Sequence, residues 1–211
     1  MKELRCTLLT DGSSDRALIP ILKWLLRACG VNGALSVEWA DLARLPKPPR
    51  TLAERIVVAV DLYPCDLLLV HRDAENVLRD ERVKEIMLVL QSVNVDPATT
   101  VPVVPVRMSE TWLLIDLDAL RLAAGNPLGT TPLSIPPLAH LEEQPQPKEL
   151  LYRLLQEASG LRGRKLKKFR PNALVHRLAD LINDFAPLRR LPAFRALEEN
   201  LGRVIADRGW V

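Results

Sequence analysis

The chain has 211 residues, of which 48% are hydrophobic and 26% charged, with a net charge of +3; this is the composition of a globular protein large enough for one full core. It contains no apolar run of about 18 residues and no N-terminal secretory pattern, so a membrane span is not expected and a cytoplasmic location is favoured. Its three cysteines are far apart, which fits reduced thiols rather than a disulfide framework or a zinc finger.

Apolar periodicity predicts alternating strands and helices over the first 125 residues. The predicted strands are 3–10, 34–42, 65–71 and 101–107. The predicted helices are 15–29, 52–62, 81–93 and 109–125, the last of them kinked near Asp116. Prolines in the fourth strand cannot donate ladder hydrogen bonds, so part of it is expected at a sheet edge. The pattern indicates an α/β fold with a four-stranded, mostly parallel sheet covered by helices.

The second part of the chain is predicted to be a helical extension that packs on this core. Residues 126–147 are rich in proline and are expected to form a linker or an ordered irregular arm. Three helices are predicted beyond them, at 148–159, 172–185 and 192–207. We therefore divide the chain into an α/β core, a connector and a basic helical extension, at residues 1–125, 126–147 and 148–211.

Charge is distributed unevenly between these parts. Residues 148–211 hold 14 Lys and Arg against 7 Asp and Glu, whereas residues 1–147 hold 15 against 19. The imbalance suggests an anionic partner for the C-terminal part, or metal in the acidic part. A solvated basic surface is the alternative explanation.

Acidic residues follow three of the predicted strands: Asp11 the first, Asp73 and Glu75 the third, and Glu110 the fourth. Ligands of parallel sheets bind beyond these strand ends. Residues two apart in an extended segment share a face, so Asp73 and Glu75 are expected side by side. Clustered carboxylates suit Mg²⁺ or Mn²⁺, and the pattern predicts such a site. The alternative for each acid is a cap that starts the loop after its strand, and we interpret Asp15 as a first-turn helix residue stabilised by the helix dipole.

Two further features bear on function. His71 ends the third strand and is either a proton shuttle or a hydrogen-bonded structural residue. The segment RGRKLKKFR (162–170) holds six positive charges in nine residues, with Phe169 as a stacking partner. It predicts contacts with nucleic-acid phosphates, a solvated loop being the alternative. Its cations are Arg162, Arg164, Lys165, Lys167, Lys168 and Arg170.

Several catalytic motifs are missing from the sequence. It has no glycine-rich nucleotide loop ending in Lys-Ser or Lys-Thr, which argues against an ATPase. It has no G-x-S-x-G elbow, which argues against an α/β-hydrolase. The acid pair and the lysine of a phosphoacceptor receiver domain are not clearly present.

Three acidic motifs resemble those of Toprim proteins, and more closely a group of Toprim-like prokaryotic proteins related to the nuclease part of overcoming-lysogenization-defect proteins. The motifs are TDGSSDR (10–16), LLLVHRDAE (67–75) and PVRMSETWLLID (105–116), the last being the most specific. KKFRP (167–171) and LPAFRALEENL (191–201) resemble the end of that group. Two departures stand out: Asp11 replaces the first Glu, shortening the side chain by about 1.5 Å, and the acidic pair is Asp-Ala-Glu rather than Asp-x-Asp.

The resemblance implies roles for these residues. Asp73 and Glu75 would be ligands of Mg²⁺ or Mn²⁺, and Asp11 a second-metal ligand or proton-transfer group. Glu110 would complete a second metal site of a two-metal centre. Gly12 would let the backbone approach a phosphate without a Cβ clash.

The resemblance also implies a function, a metal-dependent nuclease that acts on DNA or RNA, with an ATPase partner in prokaryotic defence. Two alternatives stay open. One is a catalytically weakened module that binds nucleic acid or a partner without cleavage, and the other is a small-molecule phosphoryl-transfer enzyme on the same scaffold.

Overall fold

The computed structural model describes residues 3–96 and 99–211, which form one parallel sheet covered by helices. The strands are β1 (Leu4–Leu9), β2 (Leu35–Trp39), β3 (Leu67–His71) and β4 (Thr100–Val103), in the order β2-β1-β3-β4. All three pairings are parallel, with Leu8 opposite Trp39 and Leu69, and His71 opposite Val103. The carboxyl ends of all four strands therefore lie along one edge of the sheet.

Eight helices accompany the sheet in the described part of the chain. They are α1 (Leu18–Ala28), α2 (Leu52–Leu62), α3 (Arg79–Ser92), α4 (Leu117–Ala123), α5 (Pro147–Ser159), α6 (Gly163–Lys168), α7 (Val175–Leu181) and α8 (Pro192–Arg208). Short 3-10 turns follow the ends of β1 and β4, at Ser13–Ala17 and Ser109–Leu113. These two turns carry acidic side chains toward the strand ends.

Alternate residues of each strand enter different hydrophobic clusters, because successive side chains of a strand point to opposite faces. Leu8 and Leu69 belong to the cluster that includes α1, α4, α5, α7 and α8. Leu68 and Val70 belong to the cluster that includes α2 and α3. Burial of both faces explains the continuous apolar run of β3, all five residues of which are buried.

Local sequence sets several helix boundaries. Thr51 begins α2 with a capping box, since its hydroxyl accepts the Glu54 N–H and the Glu54 carboxylate accepts the Thr51 N–H. Asp116 caps α4 by accepting two backbone N–H groups. That cap also explains the predicted kink, because the 3-10 turn Ser109–Leu113 ends before α4 begins.

The α/β prediction is confirmed, with a sheet that is entirely parallel, and β4 lies at an edge as its prolines indicated. The connector 126–147 is an ordered irregular arm, and Leu141 within its 3-10 turn Leu138–Glu143 is fully buried. Residues of the core, connector and extension share one hydrophobic cluster. Helix α6 was not predicted, because its basic sequence has no apolar face.

Candidate metal centre

Two buried polar side chains and one partly buried one meet at the carboxyl ends of β1 and β3. Asp15 comes from the 3-10 turn after β1, His71 ends β3, and Asp73 follows two residues later. One ligand atom from each lies within 4.8 Å of the other two, so the group could hold a metal ion. Ser109 and Glu110, buried in the turn after β4, lie beside it.

Asp15 is fixed by hydrogen bonds to both of its carboxylate oxygens. The Gly12 N–H donates to Oδ2 at 3.2 Å and the Ser109 hydroxyl donates to Oδ1 at 3.1 Å. Burial raises the pKa of this carboxyl, but the nearby His71 and the hydrogen bonds from Ser109 and Gly12 together outweigh it and hold the pKa below its usual value. Asp15 is therefore a buried carboxylate that stays ionised.

His71 presents one ring nitrogen to both carboxylates. Its Nδ1 lies 2.9 Å from the carbonyl oxygen of Val103, to which it must donate, so the neutral ring carries its lone pair on Nε2. Nε2 lies 3.6 Å from Asp15 Oδ1 and 3.5 Å from Asp73 Oδ1. A backbone carbonyl that fixes the tautomer of a histidine in this way is a common feature of metal ligands.

Asp73 Oδ1 is buried and has no hydrogen-bond partner among the described residues. The pKa of Asp73 is raised to about 7, mainly by burial and also by the negative charges of Asp15 and Glu110, against the attraction of His71. A buried, unsatisfied carboxylate oxygen is costly unless a proton or a cation compensates it.

Glu110 and Lys148 extend the cluster toward the helical extension. Glu110 is 3% exposed, and the Lys148 Nζ on α5 lies 3.3 Å from its Oε1. Burial lowers the pKa of Lys148, but the charge and hydrogen bond of Glu110, together with Tyr152 and Asp15, outweigh this effect and raise it. The extension therefore supplies a cation to the site, and Glu110 is paired with an ammonium group rather than free for a second metal ion.

The spacing of Asp15, His71 and Asp73 fits a cation better than direct hydrogen bonds. Ionic N–H···O⁻ bonds close to about 2.7–2.9 Å, whereas these contacts are 3.5 and 3.6 Å. Two donors about 2.1 Å from one divalent ion lie about 3.0–3.4 Å apart. Burial lowers the pKa of His71, but Asp15 and Asp73 outweigh it and raise the pKa in the metal-free protein. A metal ion on Nε2 would require the neutral ring, and Asp15, Asp73, Glu110 and Lys148 would then leave two negative charges, which one divalent ion would balance.

Two predicted ligands lie outside this group. Asp11 is 46% exposed and forms ion pairs with Arg55 and Arg72, so the structure brings Asp15 rather than Asp11 to the metal cluster. The expectation that Asp73 and Glu75 lie side by side on an extended segment is wrong. β3 ends at His71, and Glu75 is exposed with a left-handed backbone, φ 52°.

Gly12 has an extended backbone, φ −140°, and a Cβ there would approach no atom closer than 3.7 Å. Gly12 contributes to the site through the backbone N–H that it donates to Asp15, and this contribution does not require the absence of a side chain. The predicted role of Gly12 in phosphate approach stays a prediction.

The basic segment 162–170 forms α6 and its flanks on the surface. Its six cations are exposed, and none forms an ion pair among the residues that the structure describes. Phe169 is half-buried and packs against the first hydrophobic cluster, so it anchors the segment. The six cations are Arg162, Arg164, Lys165, Lys167, Lys168 and Arg170.

Sequence reasoning missed Asp15 as a ligand and Lys148 as a neighbour of Glu110. Asp15 follows Asp11 in TDGSSDR, and the sequence predicts this second acid to be a first-turn helix residue rather than a ligand. No local pattern marks Lys148, because it reaches the site only through the packing of α5 against the turn Ser109–Leu113.

No helix in residues 3–96 or 99–211 is long and apolar enough to cross a membrane. Comparison of the chain with protein-family models, with curated proteins and with solved structures finds no significant match.

Proposed function

We propose that this protein is a metal-dependent nuclease that hydrolyses phosphodiester bonds of DNA or RNA at the Asp15–His71–Asp73 cluster. The observation that carries the proposal is the unsatisfied, buried Asp73 Oδ1 beside His71 Nε2 at the carboxyl edge of a parallel sheet. The Toprim-like motifs support it, because all three acidic motifs contribute a residue to this one place.

The ligand set favours Mn²⁺ over Mg²⁺. Mg²⁺ prefers oxygen ligands throughout, whereas a mixture of two carboxylates and one imidazole nitrogen suits Mn²⁺ or another divalent transition metal. Asp15, His71 and Asp73 would hold the ion. When bound, it would supply Lewis-acid polarisation of a phosphate oxygen and neutralise developing charge.

The chain's own residues supply the rest of the chemistry. Ser109 and Gly12 orient Asp15, and Val103 fixes the His71 ring. Lys148 places an ammonium group beside Glu110, where it would stabilise negative charge on a phosphate. The Glu110–Lys148 pair is the proton-transfer group that we favour, because Asp11 is neutralised by two arginines.

Nucleic acid is the proposed substrate because the cations of 162–170 are exposed and form no ion pair with any residue that the structure describes. Such a segment neutralises several phosphates and gives binding that weakens as salt increases. An ATPase partner and a role in prokaryotic defence rest on the motif resemblance alone and stay predictions.

The ion pairs of Asp11 favour a second candidate, a module that binds metal and nucleic acid without cleavage. Arg55 and Arg72 both pair with this carboxylate, so it is a weak base for the activation of water. The two candidates share the metal cluster and differ only in turnover.

A cleavage assay tests the proposal. Supercoiled plasmid and a single-stranded RNA are incubated with the protein and Mn²⁺, Mg²⁺ or EDTA. We expect nicking or cleavage with Mn²⁺, less with Mg²⁺ and none with EDTA. His71→Ala should abolish it, whereas Asp116→Asn, which keeps a capping oxygen on α4, should not. Metal binding with no cleavage of either substrate would favour the binding module, and absence of metal binding would refute both.

A further inference from the structure

A basic cleft opens beside the metal centre, beyond the ends of β1 and β2. Its volume is about 520 Å³, within the range of small-molecule sites. Its walls are the turn after β1, the segment 39–50 that follows β2, the start of α2 and one residue of α7. Gly12 lines it and also donates a hydrogen bond to Asp15, so the cleft adjoins the cluster.

Positive charge predominates in this cleft. Four arginines and one histidine line it against two aspartates, and Asp41 and Asp11 pair with Arg44 and Arg55. The remaining cations are Arg16 and Arg50, which form no side-chain ion pair among the described residues. Both are exposed. Arg55 is held in place because it also donates to the Thr10 carbonyl.

An aromatic side chain completes the cleft. Trp39 is half-buried: it packs on the first hydrophobic cluster and lines the cleft. Its indole N–H donates to the Thr10 hydroxyl at 2.9 Å, and that hydroxyl donates to the Gly12 carbonyl at 2.7 Å. These bonds fix the ring next to the loop that carries Asp15.

We propose that this cleft binds a nucleoside 5′-phosphate, with the phosphate on Arg16, Arg50 and Arg55 and the base against Trp39. Guanidinium groups form paired, charge-assisted hydrogen bonds with phosphate oxygens. Bases stack on aromatic side chains with little dependence on sequence. A free mononucleotide and the 5′-phosphorylated end of a strand share this chemistry. The cleft would place such a strand end next to the metal cluster, where a nuclease would cut it. This placement of a strand end rests on the proposed nuclease function.

Calorimetric titration in EDTA tests the inference without metal or cleavage. The probes are AMP, adenosine, inorganic phosphate, and a short oligothymidylate with either a 5′-phosphate or a 5′-hydroxyl. We expect AMP to bind at least about tenfold more tightly than adenosine or phosphate, since each lacks one half of the contacts. A preference for the 5′-phosphorylated strand identifies a strand end, and binding of AMP alone identifies a free nucleotide.

Two variants test the cleft. The double variant combines Arg16→Gln and Arg50→Gln, and Arg203→Gln is the control. Arg203 is an exposed arginine of α8 that does not line the cleft. The double variant should bind AMP at least about tenfold more weakly, and the control should bind it as the wild type does, with all melting temperatures preserved. Equal affinity for phosphate and AMP, unchanged binding by the double variant, or no AMP binding at millimolar concentration overturns the inference. The response to Mn²⁺ tests the metal centre separately. A failure of the nucleotide site can therefore be distinguished from a failure of the proposed nuclease function.

Discussion

Replacing Asp73 by Asn should stabilise the metal-free protein at pH 8. Burial raises the Asp73 pKa from 3.8 to about 7, so keeping it ionised at pH 8 opposes folding. A difference of about three pKa units corresponds to about 4 kcal/mol of unfolding free energy. Oδ1 has no hydrogen-bond partner to lose in the described part of the chain, and an amide N–H at this position would donate to His71 Nε2.

The stability gained by Asp73→Asn should increase with pH, because the pKa of Asp73 is raised in the folded state. Because the folded-state pKa is raised, the wild type loses stability as pH rises from 3.8 to about 7, and the variant lacks this loss. At pH 5 the gain should therefore fall to about 2 kcal/mol, roughly half of its value at pH 8. Urea unfolding of both proteins at pH 5 and pH 8, with EDTA present, measures it.

The same substitution should remove the response to metal. Mn²⁺ at about 100 times its Kd should stabilise the wild type by about 2.7 kcal/mol, and the variant should show no shift. Asp11→Asn is the matched control, because it removes a carboxylate from the same sheet edge but outside the cluster. It should keep the Mn²⁺ shift and change stability by no more than about 1 kcal/mol. An Asp73→Asn protein less stable than the wild type at pH 8, or one that still responds to Mn²⁺, would refute the reasoning.

Three other substitutions should give distinct outcomes. Asp15→Asn should abolish the Mn²⁺ shift and destabilise the apo protein by about 1–3 kcal/mol in urea unfolding, the opposite sign to Asp73→Asn. The folded state favours the ionised carboxyl, and the amide keeps only one of the two oxygens that accept hydrogen bonds. Lys148→Met alone should leave Glu110 buried and unpaired and lower the melting temperature, whereas Lys148→Met with Glu110→Gln should restore it without restoring plasmid cleavage. Restored cleavage would make Lys148 only a structural counter-ion. Reversing Arg164, Lys165, Lys167 and Lys168 to Glu should weaken nucleic-acid binding at low salt and reduce the salt slope in fluorescence anisotropy by up to about four; an unchanged slope would show that the segment does not contact phosphates.

The fold was predictable because its strands are buried on both faces. Within CDLLLVH, the four residues 67–70 are all apolar, without the alternating polar residues of a half-exposed strand, and this is what indicated a parallel sheet. The meeting of acidic residues at one edge of the sheet was predictable for the same reason, because the carboxyl ends of parallel strands lie together. Helix α2 was predicted with its observed bounds, because its apolar spacing begins after Thr51.

The ligands were less predictable because backbone direction changes after each strand. The assumption of an extended chain held only as far as His71, and the left-handed backbone at Glu75 separates that residue from Asp73. After β1, the chain turns at Gly12 into a 3-10 turn, which brings Asp15 rather than Asp11 inward. Arg55 and Arg72, from α2 and the end of β3, then neutralise Asp11 at the surface. Such contacts are not encoded in local spacing.

The arrangement of charge explains why the helical extension belongs to the site. Asp15, Asp73 and Glu110 bring three carboxylates into a buried region, and one divalent ion would leave a negative charge uncompensated. Lys148 supplies the missing positive charge from α5, the first helix after the connector. An α/β core cut before residue 148 would keep every acidic motif yet lose this balance, so its buried carboxylates would take up protons more readily. Metal affinity should therefore depend on a helix that carries none of the acidic motifs.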